Sequence, residues 1–104
     1  MRQFTESENF LSRAEQVIPL GSQTFSKSRT QYPFGVSPYF LKKGKGSRVW
    51  DLDGNEYIDF VNGLASITLG YQDPDVTQAV REQLEDGVIF SLPHPLETEV
   101  AELI

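Results

Sequence analysis

The feature that most constrains the fold is a turn between two short β-prone runs in the middle of the chain. Residues 48–52 and 56–60 are rich in the aromatic and β-branched residues that favour strands. Between them lies Asp53-Gly54-Asn55. An Asp-Gly pair is typical of tight hairpin turns, because glycine adopts a positive φ without a Cβ clash. The segment therefore predicts a β-hairpin.

A helical pattern precedes the hairpin. After Thr5, apolar residues recur at three- and four-residue intervals, which predicts one apolar helix face. Thr5 and Glu8 have the spacing of a capping box, in which each side chain bonds a free N–H at the start of the helix. Pro19 and Gly21 are expected to end this helix.

Two more helical patterns follow the hairpin. The second helix is expected to begin at Asp73-Pro74 and to close at Gly87, since aspartate suits the N-cap, proline the first helical position and glycine the end. The third is expected to begin near Leu96. It has no stop signal before Ile104, so the pattern predicts a chain truncated within an amphipathic helix.

The remaining segments complete an α+β prediction over residues 1–104. Residues 22–36 predict an ordered aromatic loop, residues 38–42 a short strand, and residues 88–92 an extended segment. Residues 62–70 are small and apolar, and such a composition lets another backbone or a ligand approach closely.

Composition excludes several classes of function. The chain has 104 residues, a net charge of −6 and no cysteine. A nucleic-acid module would be basic, and a chain without cysteine has no disulfide or thiolate chemistry. The N-terminus is polar, and no apolar stretch reaches the ~18 residues of a membrane helix. The sequence therefore predicts a cytoplasmic protein without a nucleic-acid or membrane partner.

Two polar clusters have competing interpretations. The acidic residues between 51 and 59 could hold calcium, but Gly54 stands two positions too early for the loop of an EF-hand, so turn roles are favoured and no metal site is predicted. The lysines around Gly44 and Gly46 could cradle a phosphate. The phosphate-loop pattern is absent, however, and a turn is favoured.

Three further residues are candidates for binding or catalysis. Lys27 and Arg29 lie in a loop rich in hydroxyl side chains, where cations bind carboxylates or phosphates, although a solvated loop charge is the more common case. His94 lies between two prolines. A role in shaping the loop is favoured over acid–base catalysis, because the sequence indicates no partner for it.

Several segments, in their order and spacing, resemble the N-terminal part of class III pyridoxal-phosphate (PLP) aminotransferases. Within that class they are most similar to the glutamate-1-semialdehyde 2,1-aminomutase branch. The matching segments are Val17-Ile18-Pro19 with Gly21, Gly44-Lys45-Gly46, Val49-Trp50-Asp51-Leu52-Asp53-Gly54, Tyr57-Ile58-Asp59, Leu69-Gly70, Pro74 with Val76, and residues 99–104.

The resemblance implies an N-terminal segment and part of the small domain of a fold-type I PLP-dependent transferase. In such enzymes the groups that bind PLP, including the Schiff-base lysine, lie downstream, so the fragment alone is expected to be inactive and to carry no catalytic residue. The complete enzyme would be a homodimer that moves an amino group between an amino donor and a carbonyl substrate, a sugar or a semialdehyde. A stand-alone binding or regulatory module and a structural remnant are the alternatives.

The resemblance also implies substrate contacts. The arginine that holds the substrate carboxylate in the family falls at Lys27, with Arg29 as the near alternative, and lysine lacks the two-pronged geometry of arginine. An aromatic residue near the substrate falls at Leu64, so Gly63, Leu64 and Ala65 would shape a different pocket. These departures argue against glutamate-1-semialdehyde as the substrate.

A second candidate region follows from the same resemblance. In related enzymes, residues 90–95 would lie near the active-site entrance and close to the dimer partner. Ser91 and His94 are the candidates there.

Overall fold

The computed structural model describes residues 2–104, which form two compact units, one running to Asp73 and the other over Pro74–Ile104. The first unit contains one α-helix and three strands, and the second contains two α-helices. Their bounds are α1 (Thr5–Ala14), β1 (Leu41–Lys45), β2 (Arg48–Asp51), β3 (Glu56–Ile58), α2 (Pro74–Asp86) and α3 (Pro95–Leu103). The α+β class predicted from the sequence is confirmed.

The strands form an antiparallel sheet in the order β1-β2-β3, and β2–β3 is the predicted hairpin. Its turn is organised by Asp51, which is 1% exposed. The Asp51 carboxylate accepts hydrogen bonds from the Asn55 backbone N–H at 2.8 Å and from the Tyr57 hydroxyl at 2.8 Å. A buried carboxylate is stable here because both of its oxygens accept hydrogen bonds from residues that follow it in the chain.

The start of α1 differs from the prediction of a Thr5–Glu8 capping box. The N-cap is Phe4, and no local side chain bonds the free N–H groups. Asp53, in the hairpin turn, caps the helix instead: its carboxylate accepts the Glu6 N–H at 2.7 Å and the Ser7 N–H at 3.0 Å. It also accepts the hydroxyl of Ser7, a fully buried side chain, at 2.5 Å. A negative charge at a helix N-terminus is favoured by the helix dipole, so this contact joins α1 to the sheet.

Two boundaries in the first unit were also predicted incorrectly. Helix α1 ends at Ala14, and Pro19–Gly21 forms a separate 3₁₀ turn. The strand expected at residues 38–42 lies later, because Leu41–Lys45 is the segment that pairs with β2. The loop predicted at residues 22–36 is ordered by two short 3₁₀ turns, Phe25–Lys27 and Arg29–Gln31.

A small apolar core lies in the first unit. Its buried members are Phe4, Leu11, Ala14 and Val49. The rings of Phe4 and Tyr39 lie 5.7 Å apart, which extends the core towards the aromatic loop. Trp50 is only half-buried, and the Lys43 ammonium lies over its ring at 4.8 Å from the centroid. Leu11 and Ala14 of α1 and Val49 of β2 are thus the members of the core that lie on helix and sheet.

The second unit consists of α2, α3 and the segment between them. Helix α2 begins at Pro74 as predicted, and Gly87 after it has a φ of +101°. Residues 88–92 form no strand. Neither helix has a buried residue. Among residues 2–104, no helix is both long enough and apolar enough to cross a membrane.

Candidate functional site

A short turn after β3 has an unusual backbone. Asn62–Ala65, which we call the left-handed turn, has positive φ at every residue: 55°, 54°, 57° and 74°. Residues with a Cβ atom disfavour this region by roughly 1–2 kcal/mol each, and backbone strain of this kind is concentrated at functional sites. The turn includes the three predicted substrate contacts Gly63, Leu64 and Ala65.

Asp59 fixes the start of the left-handed turn. One oxygen of its carboxylate, Oδ1, accepts the backbone N–H groups of Val61 at 2.8 Å and of Asn62 at 3.1 Å. Aspartate commonly bonds the backbone two or three residues later in this way. The bonds hold the chain in the conformation from which Asn62 enters the left-handed region.

Tyr71 fixes the end of the same loop. Its hydroxyl donates to the other carboxylate oxygen of Asp59, Oδ2, at 2.7 Å. Its backbone exchanges two hydrogen bonds with Gly46, at 2.8 and 2.9 Å. Its ring lies directly against Gly44, since a Cβ at Gly44 would stand 2.4 Å from the ring carbon Cγ. Tyr71 is therefore held to β1 and its following turn by both its ring and its backbone.

The Asp59–Tyr71 bond changes the titration of both residues. Burial acts to raise the pKa of Asp59, but the hydrogen bonds from Tyr71, Asn62 and Val61 outweigh it and hold the pKa below its ordinary value of 3.8. Burial, together with the bond to the Asp59 carboxylate and its charge, raises the pKa of Tyr71 to about 12. At neutral pH the aspartate is charged and the tyrosine keeps its proton.

An open cleft of about 400 Å³ lies beside the left-handed turn. It is lined by residues of the loop and by the turn after β1, among them Gly46, Ser47, Asp59, Asn62, Thr68 and Tyr71. Leu64 is 73% exposed at the tip of the turn. The loop thus presents a fixed backbone, an apolar side chain and hydroxyl groups to whatever occupies the space next to it.

The two candidate cations have different surroundings. Arg29 donates to a carboxylate oxygen of Glu15, just after α1, with Nε 2.6 Å from Oε1. Lys27 is exposed, and within residues 2–104 its side-chain ammonium makes no hydrogen bond or ion pair. Arg29 thus stabilises the loop against α1, whereas the Lys27 ammonium is free to bind an anion.

The candidates of the second unit are Ser91 and His94. Ser91 is exposed, and His94 is the N-cap of α3. The imidazole Nδ1 of His94 accepts the Leu96 N–H at 3.2 Å, and Glu97 accepts the His94 N–H at 3.0 Å. The Phe90 ring stacks on the imidazole with centroids 5.4 Å apart. His94 thus shapes the chain here, the role that its position between prolines favours.

The polar clusters singled out in the sequence have structural contacts. The carboxylates of Asp51, Asp53 and Asp59 bond the hairpin turn, α1 and the left-handed turn respectively. Within residues 2–104, no group of three or more acidic or histidine side chains is placed to hold a metal ion. Gly44 lies inside β1, where it makes room for Tyr71.

Sequence reasoning missed the role of Asp59 and Tyr71. Asp59 was assigned to the acidic cluster, and Tyr71 was assigned no role. One signal for Asp59 was available, because an aspartate three residues before Asn62-Gly63 is typical of a turn that continues into positive φ. No local signal identifies Tyr71, since its contacts are with residues far away in sequence.

Comparison with known proteins identifies the family. Residues 31–104 match the family model "Aminotransferase class-III". A glutamate-1-semialdehyde 2,1-aminomutase 2 from Exiguobacterium sp. is 43% identical over 100 residues, which cover 96% of this chain and 23% of that protein. An omega-transaminase from Sphaerobacter thermophilus superposes with a TM-score of 0.79 at 35% identity, covering 92% of this chain and 21% of that one. A transaminase with PLP bound superposes with a TM-score of 0.83 at 30% identity, covering 98% and 23%.

The chain belongs to the class-III aminotransferase family. The resemblance seen in the sequence is thereby confirmed, including its similarity to the aminomutase branch. The chain spans about a quarter of the length of the curated relatives it matches.

The cleft does not by itself fit PLP. Asp59 is the only charged residue among those that line it, and a carboxylate repels a phosphate. Another cleft, between α1 and the aromatic loop, is lined by Glu8 and Glu15 beside an Arg29 that Glu15 already neutralises. Within residues 2–104, these clefts offer no lysine to the cofactor, so no chemical step is assigned to them.

Proposed function

We propose that residues 1–104 are the N-terminal segment and part of the small domain of a PLP-dependent class III aminotransferase or aminomutase. The complete enzyme moves an amino group between an amino donor and a small carbonyl substrate, a sugar or a semialdehyde. PLP supplies the carbon–nitrogen chemistry when bound. This segment supplies a wall of the substrate site and carries no catalytic residue.

The observation that carries the proposal is the left-handed turn. The family resemblance assigns substrate contacts to Gly63, Leu64 and Ala65, and these residues have the strained backbone conformation typical of functional sites. Leu64, at the tip, extends into open space at 73% exposure. An apolar side chain at this point favours a substrate group without charge.

Lys27 is the proposed anion contact of the same site. Its ammonium is exposed and has no hydrogen-bond or ion-pair partner within residues 2–104, whereas Arg29 is paired with Glu15. An ammonium binds a carboxylate as a point charge, with less geometric selectivity than a guanidinium. A lysine in place of an arginine and Leu64 in place of an aromatic residue together support a substrate other than glutamate-1-semialdehyde.

A homodimer and a cytoplasmic location are part of the proposal. Partner contacts would then be isologous, and Ser91 and His94 would lie near the entrance and the partner subunit. Light scattering of the complete enzyme measures its oligomeric state. A mass consistent with a monomer would contradict the homodimer.

The direct experiment compares Lys27→Ala with Lys42→Ala in the complete enzyme loaded with PLP. Lys42 is another exposed lysine and lies on β1. We expect Lys27→Ala to lower kcat/KM about 10- to 150-fold for a carboxylate-bearing substrate, because a hydrogen bond to a charged group contributes ~1.5–3 kcal/mol. Lys42→Ala should leave it unchanged. Equal values for both variants would exclude Lys27 from the site, and absence of transamination in the unmodified enzyme would exclude the function.

A further inference from the structure

We propose that Asp59 and Tyr71 are positioning residues, which hold the left-handed turn in the one conformation that meets the substrate. The inference rests on the proposed function, in which this turn borders the substrate. Neither residue needs to touch the substrate. They act through the backbone of Asn62–Ala65.

The turn needs an external support because its own backbone disfavours it. Asn62, Leu64 and Ala65 all have a Cβ atom and a φ between 55° and 74°. Local hydrogen bonds contribute some support, such as that from the Ser66 hydroxyl to the Gly63 carbonyl at 2.7 Å. A loop with such strain persists only when the surrounding structure fixes it at both ends.

One carboxylate provides that support at both ends of the loop. Oδ1 of Asp59 bonds the backbone N–H groups of Val61 and Asn62, and Oδ2 bonds the Tyr71 hydroxyl. Tyr71 cannot move to accommodate a change, because its ring lies on Gly44 and its backbone pairs with Gly46. The Asp59 carboxylate thus links the turn to Tyr71 and through it to β1, in addition to the backbone bond from the Asp59 N–H to the Ser47 carbonyl at 2.9 Å.

The chain contains a matched pair that serves as a control. Asp51 and Tyr57 form the same carboxylate–phenol bond at 2.8 Å, and burial with the Asp51 bond raises the pKa of Tyr57 to about 12 as well. That pair organises the hairpin turn and has no bond to the left-handed turn. Both tyrosines are half-buried, so removing either hydroxyl is a comparable chemical change.

The experiment compares Tyr71→Phe and Tyr57→Phe in the complete enzyme. We expect Tyr71→Phe to raise KM about fivefold with little change in kcat, because a lost hydrogen bond lowers the population of the binding-competent turn without altering the bound state. Amide hydrogen exchange of residues 61–65 should accelerate in the same variant. Tyr57→Phe should leave both KM and this exchange unchanged, even where it lowers the thermal stability as much as Tyr71→Phe does.

The outcomes separate this inference from the proposed function. An active enzyme whose KM is the same with and without the Tyr71 hydroxyl overturns the positioning role alone. An equal rise of KM in both variants also overturns it, since the effect is then general destabilisation. An unmodified enzyme that does not transaminate overturns the function and the inference with it. If Tyr71→Phe does not fold, Asp59→Asn, which keeps the side-chain shape, decides the question by the same criteria.

Discussion

The three aspartates of the hairpin region lie close together in sequence, yet each carboxylate bonds a different backbone segment. Asp53 is the clearest case, because its two oxygens bond the Glu6 and Ser7 N–H groups at the start of α1. Burial acts to raise the pKa of Asp53, but the bonds from the Ser7 hydroxyl and from the backbone outweigh it and hold the pKa below 3.8. One ionised side chain thus accepts the hydrogen bonds from the start of α1 to the hairpin turn.

The Asp53 contact makes the capping of α1 sensitive to acid. A carboxylate whose pKa is lower in the folded state stabilises that state above the unfolded value near 3.8, and the contribution disappears as the pH falls through the folded-state pKa. We expect Asp53→Asn to reduce the hydrogen-exchange protection of the Glu6 and Ser7 amides at neutral pH. The acid-induced loss of protection should then become smaller, because the asparagine side chain does not titrate.

Asp86→Asn is the matched control for this substitution. Asp86 is exposed at the end of α2, and it has no side-chain hydrogen bond or ion pair within residues 2–104. The Asp86→Asn substitution should change neither the hydrogen-exchange protection of α1 nor the pH dependence of that protection. Equal protection of the Glu6 and Ser7 amides in Asp53→Asn and the parent would exclude Asp53 as the cap.

At the scale of the elements, β1 is adapted to the loop that follows the sheet. Gly44 leaves the space in which the Tyr71 ring lies, and the Gln72 side chain donates to the Gly44 carbonyl at 2.8 Å. A strand interior normally disfavours glycine, since it has no side chain to pack. Here the missing side chain is what allows two elements to meet.

Gly44→Ala should therefore destabilise the first unit. The added Cβ would lie 2.4 Å from Cγ of Tyr71, so the ring must leave its place, at a cost of ~1–3 kcal/mol typical of overpacking. Urea unfolding of Gly44→Ala, Tyr71→Ala and the double variant measures the coupling between the two residues. With Tyr71 already reduced to alanine, the Gly44 substitution should cost little, and an unchanged cost would mean that the ring is not the obstacle.

The elements that were predicted correctly from the sequence are those that neighbouring residues determine. The Asp53-Gly54 turn, Pro74 at the start of α2 and Gly87 after its end each follow from one or two neighbouring residues. The helix α1 begins at Thr5, but its cap was predicted wrongly. The capping carboxylate belongs to Asp53, which lies 46 residues after Ser7, while Thr5 and Glu8 only have the spacing of a local cap.

The candidate site was predicted in part for the same reason. Family resemblance selected Gly63, Leu64 and Ala65, but the backbone strain there is visible only in the structure. Asp59 and Tyr71 bond each other across 12 positions of the chain. Local periodicity and turn preferences carry no information about such a pair.

At the scale of the whole molecule, the two units differ in how much they bury. The first has a core that includes Leu11 and Val49, whereas α2 and α3 have no buried residue. Their apolar side chains, such as Val80, Leu84 and Val100, are about half exposed. Helices of this length are marginal in water without tertiary packing.

Hydrogen exchange of the isolated 104-residue chain should follow this division. We expect the amides of β2 to exchange slowly and those of α2 and α3 to exchange close to the rate of an unfolded chain, because local stability follows burial. The amides of β1 and β3 that are hydrogen-bonded within the sheet serve as the internal reference for slow exchange. Protection of α3 equal to that of β2 in a monomer would contradict the expectation that these faces lack packing partners.

The long-range cap of α1 has a consequence for synthesis on the ribosome. The helix is made first, and the carboxylate that completes it is added 46 residues after Ser7. At a synthesis rate of ~5–20 residues per second, roughly 2–9 s pass between the addition of Ser7 and the addition of Asp53. A nascent chain stalled before Asp53 should leave the α1 amides unprotected, and one stalled well beyond the hairpin should protect them. The N-terminus of α1 is therefore capped only after the hairpin turn has been synthesised.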